Sequence, residues 1–392
     1  MSERPHLSRR LMAVLALLVF SASGTIHFQT PLLGRIGAEF RAGPTATGWI
    51  ATLTFAGFFA GTLLLVPLGD RYDKRRLILI QTSLLAVAML AMAAAPTLTL
   101  AAVASFMIGL FCGISQHIVP LVSELAPPAE RGRYVGTMLS SVFTGLLYAR
   151  LMSGQVGEHL GWRWSYVIGA TLIAVVGCAV AVVLPRVPPK AAITYVELLR
   201  SVGQLYVRQR RIRQPAAVQF FLGLCYGGFW ATIAGMLLAL HGLGPAVTGL
   251  IGLSGLAGIL VARPAGRWMD RRGVAPVVSA GIIGVVLAYV TLVFAGVSVA
   301  FVVVGAALLD CGLRAAMVAN QTLVTSAVPD ARSRSMTIFT AHMWGGNAVG
   351  AFIASAAFTQ WGWPGVCAIG ITSSLTALLL ARLTNGPAAA RR

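Results

Sequence analysis

Acidic side chains are scarce in this sequence. Only 11 of its 392 residues are Asp or Glu, and all charged residues together make up 10% of the chain. A typical soluble domain has about 25% charged residues. A chain of this length with so little charge cannot cover a water-exposed surface. The shortage of charge therefore argues against a water-soluble fold.

Cysteine pairs and catalytic motifs are also lacking. The five cysteines have neither ligand spacing nor a pairing pattern, so a disulfide framework or a zinc site is not indicated. The chain has no phosphate-binding glycine loop and no nucleophile elbow. We therefore expect no enzyme activity, no cofactor and no bound metal.

Long apolar runs dominate the chain instead. Hydrophobic residues make up 57% of it, and a membrane-spanning helix needs about 20 consecutive, mostly apolar residues. Short charged or Pro/Gly-rich turns separate the runs. This pattern predicts an all-α membrane protein with twelve spans, at about 11–31, 47–68, 77–96, 98–121, 134–156, 164–185, 215–240, 245–263, 275–295, 297–321, 335–358 and 364–384.

The distribution of positive charge predicts the orientation. The net charge is +19. With a cytoplasmic N-terminus and alternating spans, all but five of the 30 Lys and Arg lie in cytoplasmic loops or tails; the five are Arg35, Arg41, Arg163, Arg150 and Arg314. This is the positive-inside pattern. It predicts an inner-membrane protein with both termini in the cytoplasm and with lipid as a partner. It also accounts for the basic charge without nucleic acid.

The chain repeats itself after about 200 residues. "APPAERGR" (126–133) matches "AVPDARSR" (327–334) at an offset of 201, and at the same offset Gly145 matches Gly346. Each repeat holds six predicted spans, so both copies have the same orientation. Parallel repeats of this kind are typical of transporters whose binding site lies near mid-membrane between the two halves.

The repeat also predicts the domain organisation. We expect an N-terminal six-helix bundle over 1–185, a cytoplasmic linker over 186–213 and a C-terminal six-helix bundle over 214–392. The two bundles are expected to be pseudo-symmetric. The linker segment "ITYVELLRSVGQLYV" is either an interfacial amphipathic helix or a solvated tether.

One short turn is unusually rich in charge. Six of the fourteen residues in "VPLGDRYDKRRLIL" (66–79) are charged, and "GRWMDRRGVAP" (266–276) is its repeat copy. Both resemble the G-x-L-a-D-R-x-G-R-K hallmark of the major facilitator superfamily. The first copy keeps Leu68, Asp70, Arg71, Lys74 and Arg75, and the second keeps Gly266, Asp270, Arg271 and Gly273.

The resemblance implies a latch at the cytoplasmic ends of the two halves. Carboxylates accept hydrogen bonds at helix N-termini, and Arg forks to carboxylates or to carbonyls. The candidate gate residues are Asp70, Arg71, Lys74, Arg75, Asp270 and Arg271. The alternative is that the basic residues only hold the turns on the cytoplasmic side. That alternative does not explain the two aspartates.

The fifth predicted span resembles the antiporter signature of the family's drug–proton branch, which includes the arabinose-efflux-permease-like group. Its small residues at the signature spacing are expected to pack closely on a neighbouring helix. The eighth span offers a matching small-residue face. The packing candidates are Gly136, Gly145, Ala149, Gly154, Gly252 and Gly255, and Arg150 occupies the position of the signature proline.

Three charged residues fall inside predicted spans: Arg150, Asp310 and Arg314. Each costs at least about 2.5–3.5 kcal/mol at the centre of a span. Asp310 and Arg314 are four residues apart and share a helix face. Either they neutralise each other, or Asp310 is a proton site with Arg314 and Arg150 as partners. His117 is a further proton candidate, while the usual fourth-span Arg of this branch is Ser105 here.

Polar and aromatic residues in the spans are candidates for a substrate cavity. The resemblance implies that spans 1, 4, 7 and 10 line it. For the histidines the alternative is a hydrogen bond to a neighbouring helix, and for the aromatic pair it is plain packing. The candidates are His27, Gln29, Gln116, His117, Tyr226, Trp230, Asp310, His342 and Asn347.

These features together predict a monomeric secondary transporter of a small molecule. The first hypothesis is export of a drug, sugar or metabolite in exchange for protons by rocking of the two halves. The alternative is a proton- or anion-coupled importer of a small anionic metabolite, because cations outnumber anions in the spans. A third hypothesis is a membrane sensor that transports nothing.

Overall fold

The structure, a computed structural model, describes residues 8–186, 195–328 and 331–384. Within these ranges all regular structure is helical and no strand is found. Residues 187–194 of the predicted linker, residues 329–330 of the repeat and the side chain of Asp70 lie outside the description. The α-helices, labelled α1 to α16 in this order, are Arg9–Gly24, Leu33–Glu39, Pro44–Leu64, Leu68–Arg71, Lys74–Ala93, Leu98–Phe111, Ser115–Leu125, Arg131–His159, Trp162–Val183, Tyr195–Arg208, Arg210–His241, Pro245–Ile251, Gly255–Arg272, Val274–Val293, Val299–Ala327 and Arg332–Thr384.

Short polar side chains start several of these helices. Ser8 accepts a hydrogen bond from the Leu11 amide at 3.1 Å and begins α1. Asp73 accepts one from the Arg75 amide at 2.9 Å and begins α5. Such caps satisfy amides that have no partner inside the helix. The polar turns between apolar runs thus determine where the spans begin.

Eleven stretches of the described residues are long and apolar enough to cross a membrane. The last, Arg332–Leu383, has 52 residues. A straight helix of that length would measure about 78 Å, more than twice the roughly 30 Å of a bilayer core. It breaks at Gly362 (φ 63°, ψ −156°), where two helices meet. The protein is therefore multi-pass, and the last two predicted spans both lie within α16.

The helix α13 is longer than its sequence pattern predicted. The predicted span ends near residue 263, whereas the helix continues to Arg272. Apolar character marks the depth of the membrane, and arginine is a good helix former, so the charged stretch stays helical. The helix ends at Gly273, whose φ of 82° favours glycine.

The described part of the predicted linker contains the helix α10, while its last residues, 210–213, already belong to α11. The Tyr195 hydroxyl donates to the Leu64 carbonyl at the end of α3 at 2.7 Å, and its partial burial raises the pKa of Tyr195. At the other end of α10, the Tyr206 hydroxyl lies 3.2 Å from His342 Nε2 on α16. Residues 195–208 are thus a helix that contacts both halves of the chain.

Two large apolar clusters form the interior. One consists mainly of side chains from α1 to α9, and the other of side chains from α11 to α16. A smaller cluster around Ile212 and Phe339 lies beneath α10. The predicted domain bounds stay a prediction, but the clusters give each half its own core.

The same backbone approach occurs once in each half. A Cβ at Gly145 of α8 would fall on the Phe20 carbonyl oxygen of α1. A Cβ at Gly346 of α16 would fall on the Phe220 carbonyl oxygen of α11. Only glycine permits such contact between helix backbones. The sequence repeat therefore corresponds to a repeated helix packing.

The two halves touch at one end of the bundle and separate at the other. At the closed end, the Thr45 hydroxyl donates to the Thr359 hydroxyl at 2.7 Å, and Gly154 packs on Pro245, where a Cβ would lie 2.5 Å from the carbonyl oxygen. At the open end, a Cβ at Gly136 or Gly266 would meet nothing within 4 Å. These two positions therefore have no packing partner, in contrast to the glycine at the closed end.

Two glycines of α8 provide a matched test of this packing. We expect Gly145→Ala to lower the thermal unfolding midpoint of detergent-purified protein, because overpacking costs about 1–3 kcal/mol. Gly136→Ala in the same helix should leave the midpoint unchanged or raise it, since alanine is the better helix former. Equal midpoints for the two variants would contradict the close approach of α8 to α1.

Candidate functional site

A cavity of about 230 Å³ lies between the two halves. Its walls come from α8 on one side and from α11, α15 and α16 on the other, with His27 at the end of the α1 segment. Most of the lining is apolar or aromatic, but it includes one carboxylate, one guanidinium and three amide side chains. The lining residues are His27, Val142, Phe143, Leu146, Gln219, Leu222, Gly223, Tyr226, Asp310, Leu313, Arg314, Met317, Gln321, Met343, Trp344 and Asn347.

A larger recess of about 490 Å³ lies at the closed end. Small and apolar side chains of α2, α3 and α11 form most of it, and Arg41 is its only charged lining residue. The central cavity, by contrast, combines charge with buried polar atoms from both halves. A few convergent polar groups in an apolar pocket are typical of ligand sites, so the central cavity is the candidate site.

Arg150 crosses from the N-terminal half into the C-terminal half beside this cavity. Its Nη2 donates to the Tyr226 hydroxyl at 2.6 Å, and its Cζ lies 3.7 Å from the centroid of the Trp230 ring. The side chain is 2% exposed. It passes over Gly252, where a Cβ would lie 2.9 Å from Arg150 Cδ. The missing side chain of Gly252 makes room for the buried guanidinium.

Asp310 and Arg314 both line the cavity from α15. The Ser254 hydroxyl donates to Asp310 Oδ2 at 3.0 Å, and Arg314 Cζ lies 4.9 Å from the centroid of the Phe143 ring. No ion pair within 4.0 Å joins them, since the ion pairs found across the described ranges involve other residues. The two side chains share a helix face without pairing in this conformation.

Several buried polar atoms around the cavity have no hydrogen-bond partner in the described structure. They are His27 Nδ1, Arg150 Nε, Gln219 Oε1, Trp230 Nε1 and Asn347 Oδ1. Buried polar groups are nearly always paired. A cluster of unpartnered atoms around one cavity therefore indicates a place where a ligand or water supplies the partners.

Two of the glutamines predicted for the cavity lie elsewhere. Gln29 donates from Nε2 to the Ile26 carbonyl at 2.7 Å, and Gln116 donates from Nε2 to the Thr62 hydroxyl at 3.2 Å. Neither lines the central cavity. Their amides satisfy local groups of the N-terminal half instead.

Two of the predicted histidines also lie outside the cavity. His117 packs against Gly69, and its Nε2 lies 3.1 Å from Gln81 Nε2. His342 contacts the linker helix through Tyr206. Met343, the next residue, does line the cavity. Successive residues of a helix point about 100° apart, so a rotation of the helix about its axis by less than that angle decides which side chain faces the cavity.

Sequence reasoning missed several lining residues. Gln219 and Gln321 are the polar ones, and a polar amide within an apolar span is the signal that was available. Trp344 was also missed; its ring lies 4.4 Å from the Phe58 ring. Of the predicted candidates, the cavity brings together His27, Tyr226, Asp310, Arg314 and Asn347, with Trp230 directly behind Tyr226.

The small residues predicted for helix packing contact several different helices. Gly145 and Ala149 of α8 lie against α1, where Gly24 approaches Ala149. Further along α8, Gly154 lies against α12. Gly255 of α13 lies near Leu147, and a Cβ there would be 2.8 Å from Leu147 Cδ2. Gly136 faces open space in this conformation.

The predicted latch residues lie at the open end. Lys74 is bonded at 2.9 Å to Glu124 of the same half, and Arg75 donates to the Ala181 carbonyl at 2.6 Å. Asp270 and Arg271 are exposed at the end of α13. Among the side chains that the structure describes here, none makes an ion pair across the halves. A latch that holds this end shut would be released in such a conformation.

The geometry defines a class of protein: a multi-pass membrane transporter with two helical halves around a central polar cavity. The model of the Major Facilitator Superfamily matches residues 14–197 and 215–392. The chain belongs to this family.

Relatives of known sequence and structure agree with that assignment. The chain is 32% identical over 376 residues to "Uncharacterized transporter YgaY" of Escherichia coli O157:H7, covering 96% of this chain and 95% of that protein. It is 32% identical to "Probable transporter SCO4007" of Streptomyces coelicolor, covering 92% and 84%. The crystal structure of a mutant of the nucleoside transporter NupG has a TM-score of 0.80 at 14% identity, covering 95% and 98%. At this identity the structural likeness shows the fold.

The hydrogen bond between Arg150 and Tyr226 yields a stability prediction. Tyr226→Phe removes the acceptor and leaves a buried guanidinium N–H unpaired, which costs about 1–3 kcal/mol. We expect a lower thermal unfolding midpoint in detergent. Tyr148→Phe is the control, because Tyr148 lies on the same helix as Arg150 and is 44% exposed. If both variants behave like wild type, the bond does not contribute to stability.

Proposed function

We propose that this protein is a secondary active transporter that moves a small organic compound by alternating access, coupled to protons. The observation that carries the proposal is the cavity between the halves, which contains one carboxylate, Asp310. The halves contact each other at one end of the bundle, through Thr45 and Thr359, and Gly136 and Gly266 near the other end have open space beside them. A site with access to one side only is what an alternating-access cycle needs at each stage.

The cycle would exchange one set of contacts for another. Opening the closed end requires loss of the hydrogen bond between Thr45 and Thr359 and of the packing of Gly154 on α12. Closing the open end would bring together the predicted latch of Asp70, Asp270 and their basic neighbours. Interfaces of this kind have two stable arrangements, so small changes at the site can shift the balance between the two conformations.

The topology of the proposal has twelve spans. Division of the last candidate stretch at Gly362 turns eleven stretches into twelve. We propose two six-helix bundles over 1–185 and 214–392, a linker over 186–213, a monomer in the inner membrane, and cytoplasmic termini as the positive-inside pattern favours. The open end would then face the cytoplasm, and the structure would be inward-facing.

We propose Asp310 as the proton site. It is 2% exposed, it lines the cavity, and two guanidinium groups, those of Arg150 and Arg314, lie on helices around it. Its neutral and charged forms interact differently with these cations, so protonation changes the relative free energy of the two conformations. His117 lies away from the cavity, which makes it the weaker candidate.

Two transport directions remain, each with a supporting observation. Export in exchange for protons is supported by the small residues of α8 at the antiporter spacing, three of which make close helix contacts: Gly145, Ala149 and Gly154. Uptake of a small anionic metabolite together with a proton is supported by the charges beside the cavity, where two guanidinium groups face one carboxylate.

The sign of a proton signal separates the two directions. A bound cation favours the ionised form of Asp310 and releases a proton, whereas a bound anion favours the protonated form and takes one up. The measurement is the pH change of unbuffered, detergent-purified protein on addition of cationic drugs, sugars or organic acids. We expect a signal that disappears in Asp310→Asn and persists in Glu130→Gln, which changes a carboxylate whose side chain is 45% exposed and does not line the cavity. A signal of equal size in both variants would rule out Asp310 as the proton site.

The latch predicts a separation of transport from binding. Asp270→Asn should leave ligand affinity in detergent unchanged, because Asp270 is exposed at an end that is already open. The same variant should lower flux in proteoliposomes about tenfold, because the inward-closed state loses a charge-assisted contact. Flux equal to that of wild type would support the view that these turns only set the topology.

A further inference from the structure

We infer that the central cavity binds a flat aromatic monocarboxylate, with the carboxylate beside Arg314 and the ring among the aromatic side chains. The inference rests on the proposed transport function, and it names the substrate class of the same site. It combines four features of the cavity: its charge, its hydrogen-bond donors, its unpartnered polar atoms and its shape.

The charge of the site favours an anion. Arg314 lines the cavity and has no carboxylate within ion-pair distance in the described structure. Arg150 is hydrogen-bonded to the Tyr226 hydroxyl, and it too has no carboxylate within ion-pair distance in the described structure. Asp310, the single acidic lining residue, already accepts a hydrogen bond from Ser254. Guanidinium groups stay protonated in proteins, so the site carries a net positive charge even when Asp310 is ionised.

Tyr226 supplies a directed donor. Its hydroxyl oxygen accepts a hydrogen bond from Arg150 at 2.6 Å, which leaves its own proton to be donated. Charge-assisted bonds polarise such chains and strengthen the next donor. The buried cation of Arg150 can therefore act on a ligand in the cavity through the Tyr226 hydroxyl.

The unpartnered polar atoms need a ligand that can form hydrogen bonds. His27 is 1% exposed, Asn347 2% and Gln219 3%, and each has a side-chain atom without a partner. An amide presents an acceptor oxygen and two donors, and imidazole presents one nitrogen of each kind. Gln219 Oε1 and Asn347 Oδ1 can only accept, so a carboxylate with a hydroxyl at its other end would supply the donor that they lack, while its own oxygens use the donors of the site.

The walls of the cavity suit a small flat ring. Phe143, Tyr226 and Trp344 line it, and the His27 and Tyr226 rings meet edge to face at 6.0 Å. The remaining lining is largely aliphatic. A volume of about 230 Å³ lies below the range of about 300–1,000 Å³ that is common for drug-sized ligands. These features favour one aromatic ring over a large multi-ring compound or a sugar chain.

A matched ligand series tests the class on the unaltered protein. Benzoate, benzamide and benzylamine share one ring and differ in charge, and 4-hydroxybenzoate and nicotinate add a polar atom to the acid. We expect the acids to bind to detergent-purified protein in calorimetric titration at least about tenfold more tightly than the amide, with no binding of the amine. Binding of benzylamine at equal or higher affinity, or no binding of any acid, would overturn the inference.

Two variants of Arg314 test where the carboxylate of the ligand binds. Arg314→Gln should weaken binding of benzoate about tenfold and abolish the preference for benzoate over benzamide, while Arg314→Lys should keep part of that preference because its charge remains. Arg267→Gln removes an exposed arginine at the open end of α13 and should bind like wild type. Unfolding midpoints without ligand identify a variant that fails to fold. Unchanged acid preference in folded Arg314→Gln would overturn the placement.

Flux in proteoliposomes separates this inference from the proposed function. Acids that bind but never cross the membrane under any gradient would refute transport and leave the ligand class standing. Flux of a cation or a neutral compound, without binding of the acids, would refute the ligand class and leave transport standing. Flux of the acids would support both.

Discussion

The buried guanidinium of Arg150 is the constraint on which the centre of the molecule depends. A cation this deep in an apolar bundle must find a hydrogen-bond acceptor and a polarizable neighbour, and it finds both in the other half of the protein. The Tyr226 hydroxyl accepts a hydrogen bond from Arg150, and the centroid of the Trp230 ring lies 3.7 Å from Arg150 Cζ. This contact joins α8 of the N-terminal half to α11 of the C-terminal half beside the cavity.

Glycine makes that contact possible. Gly252 leaves space for the Arg150 side chain, and Gly154 lets the two halves meet at the closed end. Within each half, Gly145 and Gly346 permit backbone contact between neighbouring helices at corresponding places of the repeat. In a bilayer there is no hydrophobic force between helices, so close packing of this kind carries much of the association.

Residues differed in how far the sequence could place them. Asp310 and Arg314 were predicted on one helix face, and both line the cavity, because a spacing of four is a local property of a helix. His342 was predicted inward and instead contacts the linker helix, while Met343 faces the cavity. Gln29 and Gln116 bond to groups near them in their own half. Polarity within a span predicts that a side chain needs a partner but does not tell which partner it finds.

The sequence by itself determined that the protein is surrounded by lipid, that it is helical and that it contains an internal repeat. Apolar runs of bilayer length, caps in polar turns and matches 201 residues apart depend on local chemistry, and local chemistry can be read along the chain. Only the tertiary structure decided which polar groups converge and which end of the bundle is open. The rotation of each helix and the contact of Arg150 with Tyr226 depend on packing between segments far apart in sequence. No local pattern records that packing.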